Sequence, residues 1–229
     1  MDIQLHPIAY IHTDFPEKFG IPRQSNVVET LEGHIVFTEE FRNPDYLRGI
    51  EDYSHIWLIW GFSANRPGVY SPTVRPPRLG GNIRKGLFAT RSPFRPNPLG
   101  MSCVRLQRVE WDNPEGPVLH VLGADMMDGT PIYDIKPYMP GSDSYPEASQ
   151  GIAGSVPWRS VEVEYEDSVL DPLPEKIRRD LIPILEQDPR PSYQDDPDRI
   201  YGMSYAGYTI RFRVEDRKLY ILEVSKSMP

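Results

Sequence analysis

The sequence predicts a mainly β protein, with an antiparallel or mixed β-domain over about residues 1–150 and a smaller α+β module over 151–229. Three observations carry this. Proline accounts for 25 of 229 residues, about twice the usual share of roughly 5%. It interrupts helices and central strands, so regular elements belong in the proline-free runs. Those runs hold short β-branched and aromatic stretches, with no helical patterns of about 10–15 residues between them, which disfavours a parallel doubly wound sheet. Finally, Pro137-Tyr-Met-Pro-Gly-Ser-Asp-Ser-Tyr-Pro146 is a turn-rich exit, after which the chain is acidic to about Asp171.

The elements follow in order. Ile8–Ile11, His34–Phe37 and Ile56–Phe62 read as strands. Asn43-Pro44-Asp45 reads as an N-cap with proline at the first helical position, opening a short helix to Ile50. Met101–Glu110 alternates through Val104, Leu106 and Val109 with one slip in phase, and Val118–Leu122 is similar. Asp128-Gly129 is a turn signal before a β-like run at Pro131–Lys136. In the second module, Asp171 is placed to cap a helix with Ile177, Leu181 and Leu185 on one face, while Pro183 predicts a kink or early end. Tyr205–Val214 and Lys218–Lys226 form a hairpin through Glu215-Asp-Arg217.

Composition excludes several classes. No apolar run approaches the roughly 18 residues of a membrane-spanning helix, and no signal peptide is visible at Met1–His6. A cytoplasmic protein is expected. Its single cysteine, Cys103, excludes an internal disulfide framework and reads as a small core hydrophobe. The five histidines lack ligand spacing, so no metal is expected. There is no G-x-G-x-x-G after the first strand and no Walker pattern.

The net charge of −8 conceals a segregation. Tyr53–Val109 contains no Asp or Glu but holds Arg66, Arg75, Arg78, Arg84, Lys85, Arg91, Arg95, Arg105 and Arg108. The window is +9 and the remainder −17. This pattern points to an anion-binding face on an acidic body, with Arg105 and Arg108 simply pointing outward beside a strand. Eight of the nine are arginines, whose planar fork suits phosphate and stacks on bases.

Two constellations stand out. Gly86–Gly100 runs from a short apolar strand into a loop stiffened by Pro93, Pro96 and Pro98, presenting Arg91 and Arg95. Such a loop suits anion recognition better than packing. In the second, Asp134, Lys136 and Tyr138 alternate onto one face of a strand while Ile135 points to the other. An acid, an ammonium and a phenol make a proton-handling set, although surface strands alternate in the same way.

At these motifs the sequence resembles the TrmO family of tRNA methyltransferases. The matching residues are Phe19–Gln24, Thr73–Asn82, Gly86–Gly100, Asp128–Tyr138 and Asp188-Pro-Arg-Pro191. The resemblance implies a β-barrel methyltransferase domain at 1–150, an S-adenosyl-L-methionine cofactor and a homodimer. It also implies methylation at N6 of N6-threonylcarbamoyladenosine at position 37 of threonine tRNA. Carried over by position, the cofactor contacts are Pro22, Arg23, Gln24, Ser63, Ala64, Arg91, Met101, Asp125, Met126, Met127 and Asp128. Relatives can carry a His-Gln pair where this chain has Ser63-Ala64.

Methyl transfer from a sulfonium is an in-line displacement, so positioning supplies much of the rate. The carbamoyl group delocalises the N6 lone pair, which makes a proton acceptor useful. Asp134 is the candidate base, Lys136 its charge partner and Tyr138 an orienting group. Arg91 and Arg95 would bind the threonyl carboxylate, the cofactor carboxylate or a tRNA phosphate. Arg75, Arg78, Arg84, Lys85, Arg95 and Asn97 are candidate substrate and tRNA contacts. A non-catalytic RNA-binding protein or a small-molecule methyltransferase would also fit the basic window.

Overall fold

The computed structural model describes residues 4–66, 68–76, 83–151, 154, 160–191, 194 and 196–227, so the candidate contact Arg78 lies outside the described residues. The chain divides into two compact units. The first comprises Met1–Asp14, Arg23–Tyr70 and Pro93–Tyr145, and the second Phe15–Pro22, Ser71–Ser92 and Pro146–Pro229.

The first unit is built on β1 (Ala9–His12), β2 (Glu32–Phe37), β3 (His55–Gly61), β6 (Leu99–Glu110), β7 (Val118–Leu122) and β8 (Thr130–Pro137). The short β4 (Thr73–Val74) and β5 (Lys85–Gly86) belong to the second. The six strands close into a barrel in the order β1-β2-β7-β6-β3-β8, every neighbour antiparallel. The barrel implied by the resemblance is present. Closure leaves no exposed sheet edge, and a barrel this narrow is filled by its own side chains.

Strand alternation decides what goes inside. Ile56, Leu58 and Trp60 of β3 face inward with Val104 of β6, Ile35 of β2, Leu119 and Val121 of β7, and Ile132 of β8. A Cβ on Gly100 would overlap the Trp60 indole, so this inward position requires glycine. The phase slip in β6 is a register shift against β7 between Leu106 and Arg108. Cys103 lies on the outward series of β6, paired with Trp57, and is only half-buried. The expectation of a core cysteine fails by one step of the alternation.

The helix expected after Asn43 is instead two 3-10 turns, Pro44–Leu47 and Ile50–Asp52, broken at Gly49 with φ 85°. Asn43 does accept a hydrogen bond from the Asp45 N–H.

In the second unit, β10 (Tyr201–Tyr205), β11 (Tyr208–Glu215) and β12 (Lys218–Lys226) form an antiparallel meander, with β9 (Glu162–Glu164) added parallel to β12. Tyr205 ends its own strand at a two-residue turn, Ala206-Gly207, where both φ values are positive. Helix α1 spans Glu175–Glu186 and starts after Pro174 rather than at Asp171, which closes a preceding 3-10 turn. It buries Leu181, Ile184 and Leu185, and it continues through Pro183 to Glu186. Phe15 packs at a tilt against Tyr205, and Phe19 stacks on Tyr201 and Phe212 of the meander, which ties 15–22 into this unit. No helix of the described residues is long and apolar enough to cross a membrane.

Candidate active site

The outer face of β6, β3 and β8 brings together residues from both sequence constellations. Pairing sets up rows across the three strands, Cys103–Trp57–Lys136 and Met101–Ile59–Asp134, followed by Leu99–Gly61 on β6 and β3. Strands lie roughly 4.8 Å apart, so the backbones at Met101 and Asp134 are about 10 Å apart on one face. Between Ile59 and Trp60 the β3–β8 register shifts, because Ile59 pairs with Asp134 while Trp60 pairs with Ile132. Tyr133 is the extra residue, and the bulge re-aims it. Its ring lies over Gly61, where an added Cβ would fall 2.7 Å from Cε2 and 2.9 Å from the phenol oxygen.

Asp134 Oδ2 meets Lys136 Nζ at 2.9 Å, and Oδ1 accepts the Ile135 N–H at 2.9 Å. The Tyr138 ring packs against Trp57 and His55, with centroids 5.8 and 6.2 Å away. Trp57 Nε1 donates to Asp143 Oδ2 at 3.0 Å, and the Met139 N–H donates to the same oxygen. The Met139 amide first, and the indole second, hold the Asp143 carboxyl below its ordinary value. Burial, reinforced by the Asp143 charge, raises the Cys103 thiol, which disfavours its reactive thiolate form.

Beside the Leu99–Gly61 row opens a cleft of about 810 Å³, lined among others by Ser63, Arg66, Phe94, Arg95, Asn97 and Tyr133. Small-molecule sites typically fall in the range of roughly 300–1,000 Å³. The Phe62 N–H donates to the Pro98 carbonyl at 2.9 Å, which ties the end of β3 to the proline-rich loop.

The loop Asp125–Asp128 is fixed by a polar relay and by the end of β1. Trp60 Nε1 donates to Ser102 Oγ at 3.0 Å, and Ser102 Oγ donates to Asp125 Oδ1 at 2.6 Å. Ser102 is 2% exposed, so the relay runs from the barrel interior to a half-buried carboxylate. Thr13 Oγ1 donates to the Met126 carbonyl, and both the Thr13 N–H and His12 Nδ1 meet Asp128 Oδ1.

The model of the tRNA-methyltransferase O N-terminal domain matches residues 10–144, and that of the TrmO C-terminal domain matches 160–227. The chain belongs to the TrmO family. Among its relatives, the Escherichia coli K12 protein named tRNA (adenine(37)-N6)-methyltransferase is 38% identical over 221 residues, covering 93% of this chain and 94% of the relative. A Pseudomonas aeruginosa protein, provisionally named S-adenosylmethionine-dependent methyltransferase RcsF, is 38% identical over 211 residues, 89% of each chain. The solved structure of TrmO from Pseudomonas aeruginosa superposes with a TM-score of 0.77 at 30% identity, covering 98% of this chain and 100% of that one.

The positions carried over from the TrmO family divide between the units. Arg23, Gln24, Ser63, Ala64, Met101 and Asp125–Asp128 lie in the first, and Pro22 and Arg91 in the second. Arg23, Gln24, Ser63, Ala64 and Arg91 are exposed and Pro22 is buried. Met126 is 1% exposed in the barrel core and the Met127 carbonyl accepts from Thr130, while Asp125 is half-buried and Asp128 exposed. These residues fit S-adenosyl-L-methionine chemically. A pre-oriented carboxylate at Asp125 offers acceptors for ribose hydroxyls or an ammonium, and the 53% exposed Met101 offers an apolar surface. Among the candidate RNA contacts, Arg75, Arg84 and Lys85 belong to the second unit, on or beside the β4–β5 ribbon, whereas Arg95 and Asn97 line the cleft. Among the described residues no group of three or more His, Cys, Asp or Glu side chains converges as a metal site.

Sequence reasoning missed Tyr133 and the Trp60–Ser102 pair. The bulge that redirects Tyr133 has no local signature. Ser102 is an inward hydroxyl within an otherwise apolar series, and that was the available signal for the relay.

Proposed function

We propose that this chain is an S-adenosyl-L-methionine-dependent tRNA (adenine(37)-N6)-methyltransferase acting on N6-threonylcarbamoyladenosine of threonine tRNA. The observation that supports the reading is the Met101–Ile59–Asp134 row, in which Met101, assigned to the cofactor by the family resemblance, shares one barrel face with the candidate base Asp134. Bound S-adenosyl-L-methionine supplies an electrophilic methyl group. Asp125, held by Ser102, would anchor it, with Met101 and the exposed residues Ser63 and Ala64 beside it.

Asp134 accepts the N6 proton as the nucleophile attacks. Its partner Lys136, 2.9 Å away, holds the carboxylate in place by a charge-assisted hydrogen bond. Tyr138, seated on Trp57, orients the strand end. The β4–β5 ribbon with Arg75, Arg84 and Lys85, together with Arg91, supplies cations for the tRNA backbone. A homodimer in the cytoplasm completes the reading.

The deciding experiment incubates the protein with labelled methyl donor and total tRNA, followed by nucleoside mass spectrometry. The expected product is N6-methyl-N6-threonylcarbamoyladenosine confined to threonine tRNA. Label on another nucleoside, or only on a free metabolite, would overturn the assignment.

A further inference from the structure

We propose that the cleft beside Gly61 is the pocket for the target base's N6 substituent, with Arg66 and Arg95 gripping its carboxylate and Tyr133 lying against the base. The inference rests on the proposed substrate and adds to it a subsite and its specificity residues.

Four observations converge on this. The cleft is large enough for a substituted purine, at about 810 Å³. Its lining pairs aromatic and apolar surface, from Phe94, Leu99 and Tyr133, with two guanidinium groups. A nucleobase edge carrying an amino-acid carboxylate needs that combination, a flat stacking wall and a planar cationic fork. The cleft also adjoins the reacting row: Leu99 and Gly61 stand one outward position along β6 and β3 from Met101 and Ile59, and Tyr133 directly precedes Asp134. A substituent seated there puts N6 toward Asp134. Finally, Tyr133 reaches the cleft through a β-bulge and a glycine that leaves room for its ring. No regular pairing would place it there.

Arg66 becomes intelligible in this setting. It is an exposed cation in the acid-free window, and it lies outside both sequence constellations. It shares the cleft with Arg95, whereas Arg91 belongs to the other unit. Within the proposal the threonyl carboxylate falls to the Arg66–Arg95 pair, the two arginines that line the cleft.

The test compares two forms of one tRNA, with threonylcarbamoyladenosine or with plain adenosine at position 37. Binding is measured by fluorescence anisotropy for the full chain and for Arg66→Gln, Arg95→Gln and Arg66→Lys. Wild type should prefer the modified RNA by roughly tenfold or more, as a charge-assisted contact implies. Both glutamine variants should lose that preference while binding plain tRNA and S-adenosyl-L-methionine as before, the latter by calorimetry. Arg66→Lys should retain only part of the preference, because an ammonium lacks the fork. Equal loss on both RNAs would make these arginines backbone contacts and overturn the pocket. Weakened binding of the methyl donor would make the cleft the donor's site and overturn the pocket equally. Thermal unfolding midpoints separate either outcome from misfolding. Should nucleoside analysis show no methylation of threonylcarbamoyladenosine by wild type, the substrate assignment itself fails and the pocket falls with it. Normal methylation with unchanged preference in the variants refutes the pocket alone.

Discussion

Ser102→Ala is the most direct perturbation of the site, because it removes one oxygen that serves two partners. In the barrel, Ser102 Oγ accepts from the Trp60 indole at 3.0 Å and donates to Asp125 at 2.6 Å. Trp60 is 8% exposed, so its orphaned N–H would find little water, at a cost of about 1–2 kcal/mol. The Asp125 carboxylate is half-buried and partly rehydrates, which limits the loss there to about 1 kcal/mol. The sum is about 2–3 kcal/mol, or roughly 4–12 °C in unfolding temperature for a chain of this size. Urea and thermal denaturation measure it directly. A double-mutant cycle with Trp60→Phe isolates the shared bond, since the double variant leaves no unsatisfied indole and should be less destabilised than the sum by about 1 kcal/mol. Calorimetry of Ser102→Ala should show weaker S-adenosyl-L-methionine binding, because Asp125 loses the Ser102 hydrogen bond that orients it. A loss below about 0.5 kcal/mol, or strict additivity with Trp60→Phe, would refute the relay.

Three other outcomes are expected. Asp134→Asn should reduce single-turnover methyl transfer at least tenfold with saturating tRNA while leaving tRNA affinity unchanged; near wild-type turnover removes Asp134 as the base. Glu110 accepts from Asn113, His120 and Arg108, which lower its carboxyl from 4.5 to about 2, the Asn113 hydrogen bond contributing most. A depressed carboxyl stabilises the fold above its unfolded value and loses that contribution as pH falls toward its folded value. Glu110→Gln should therefore flatten the stability profile between about pH 4.5 and about pH 2, as read by acid titration of the circular dichroism signal. Neutralising Arg75, Arg84 and Lys85 together should weaken tRNA binding and reduce its salt slope by about 0.7–0.9 for each phosphate left without its cation; an unchanged slope would remove the ribbon from the interface.

Much of the barrel was legible because closed antiparallel sheets leave a period-2 imprint. That imprint shows in β6 through Val104 and Leu106, whereas β3 formed over the uninterrupted β-branched and aromatic run at Ile56–Phe62. The same periodicity put Asp134 and Lys136 on a common face, where they pair. What escaped depends on interactions distant in sequence. The Ile59/Trp60 register shift is a property of two strands, so neither strand alone announces that Tyr133 departs from the alternation. Cys103 reads as core on its own, yet pairing with Trp57 sets it outward. Helix α1 shows the competition plainly. Pro183 argues for an early end, but burial of Leu181, Ile184 and Leu185 outweighs the missing backbone bond.

The acid-free basic window also changes meaning once it is folded. Its charges are contiguous in sequence but divided in the molecule: Arg66, Arg95, Arg105 and Arg108 fall in the barrel unit, and Arg75, Arg84, Lys85 and Arg91 in the other. Arg108 is engaged by Glu110, the first acid after the window, at 3.3 Å. Arg105 sits on the outward face of β6, opposite His55. If the cleft arginines read a small carboxylate and the ribbon cations meet phosphates, as proposed, the two tasks are separable. The two kinds of binding respond differently to salt. Phosphate contacts release counterions and weaken steeply as salt rises, whereas a carboxylate seated in a partly enclosed cleft is screened much less. Preference for the modified base should therefore survive salt that strips overall tRNA affinity. If both decline together, a single electrostatic surface serves both tasks, and the division seen in the fold has no functional counterpart.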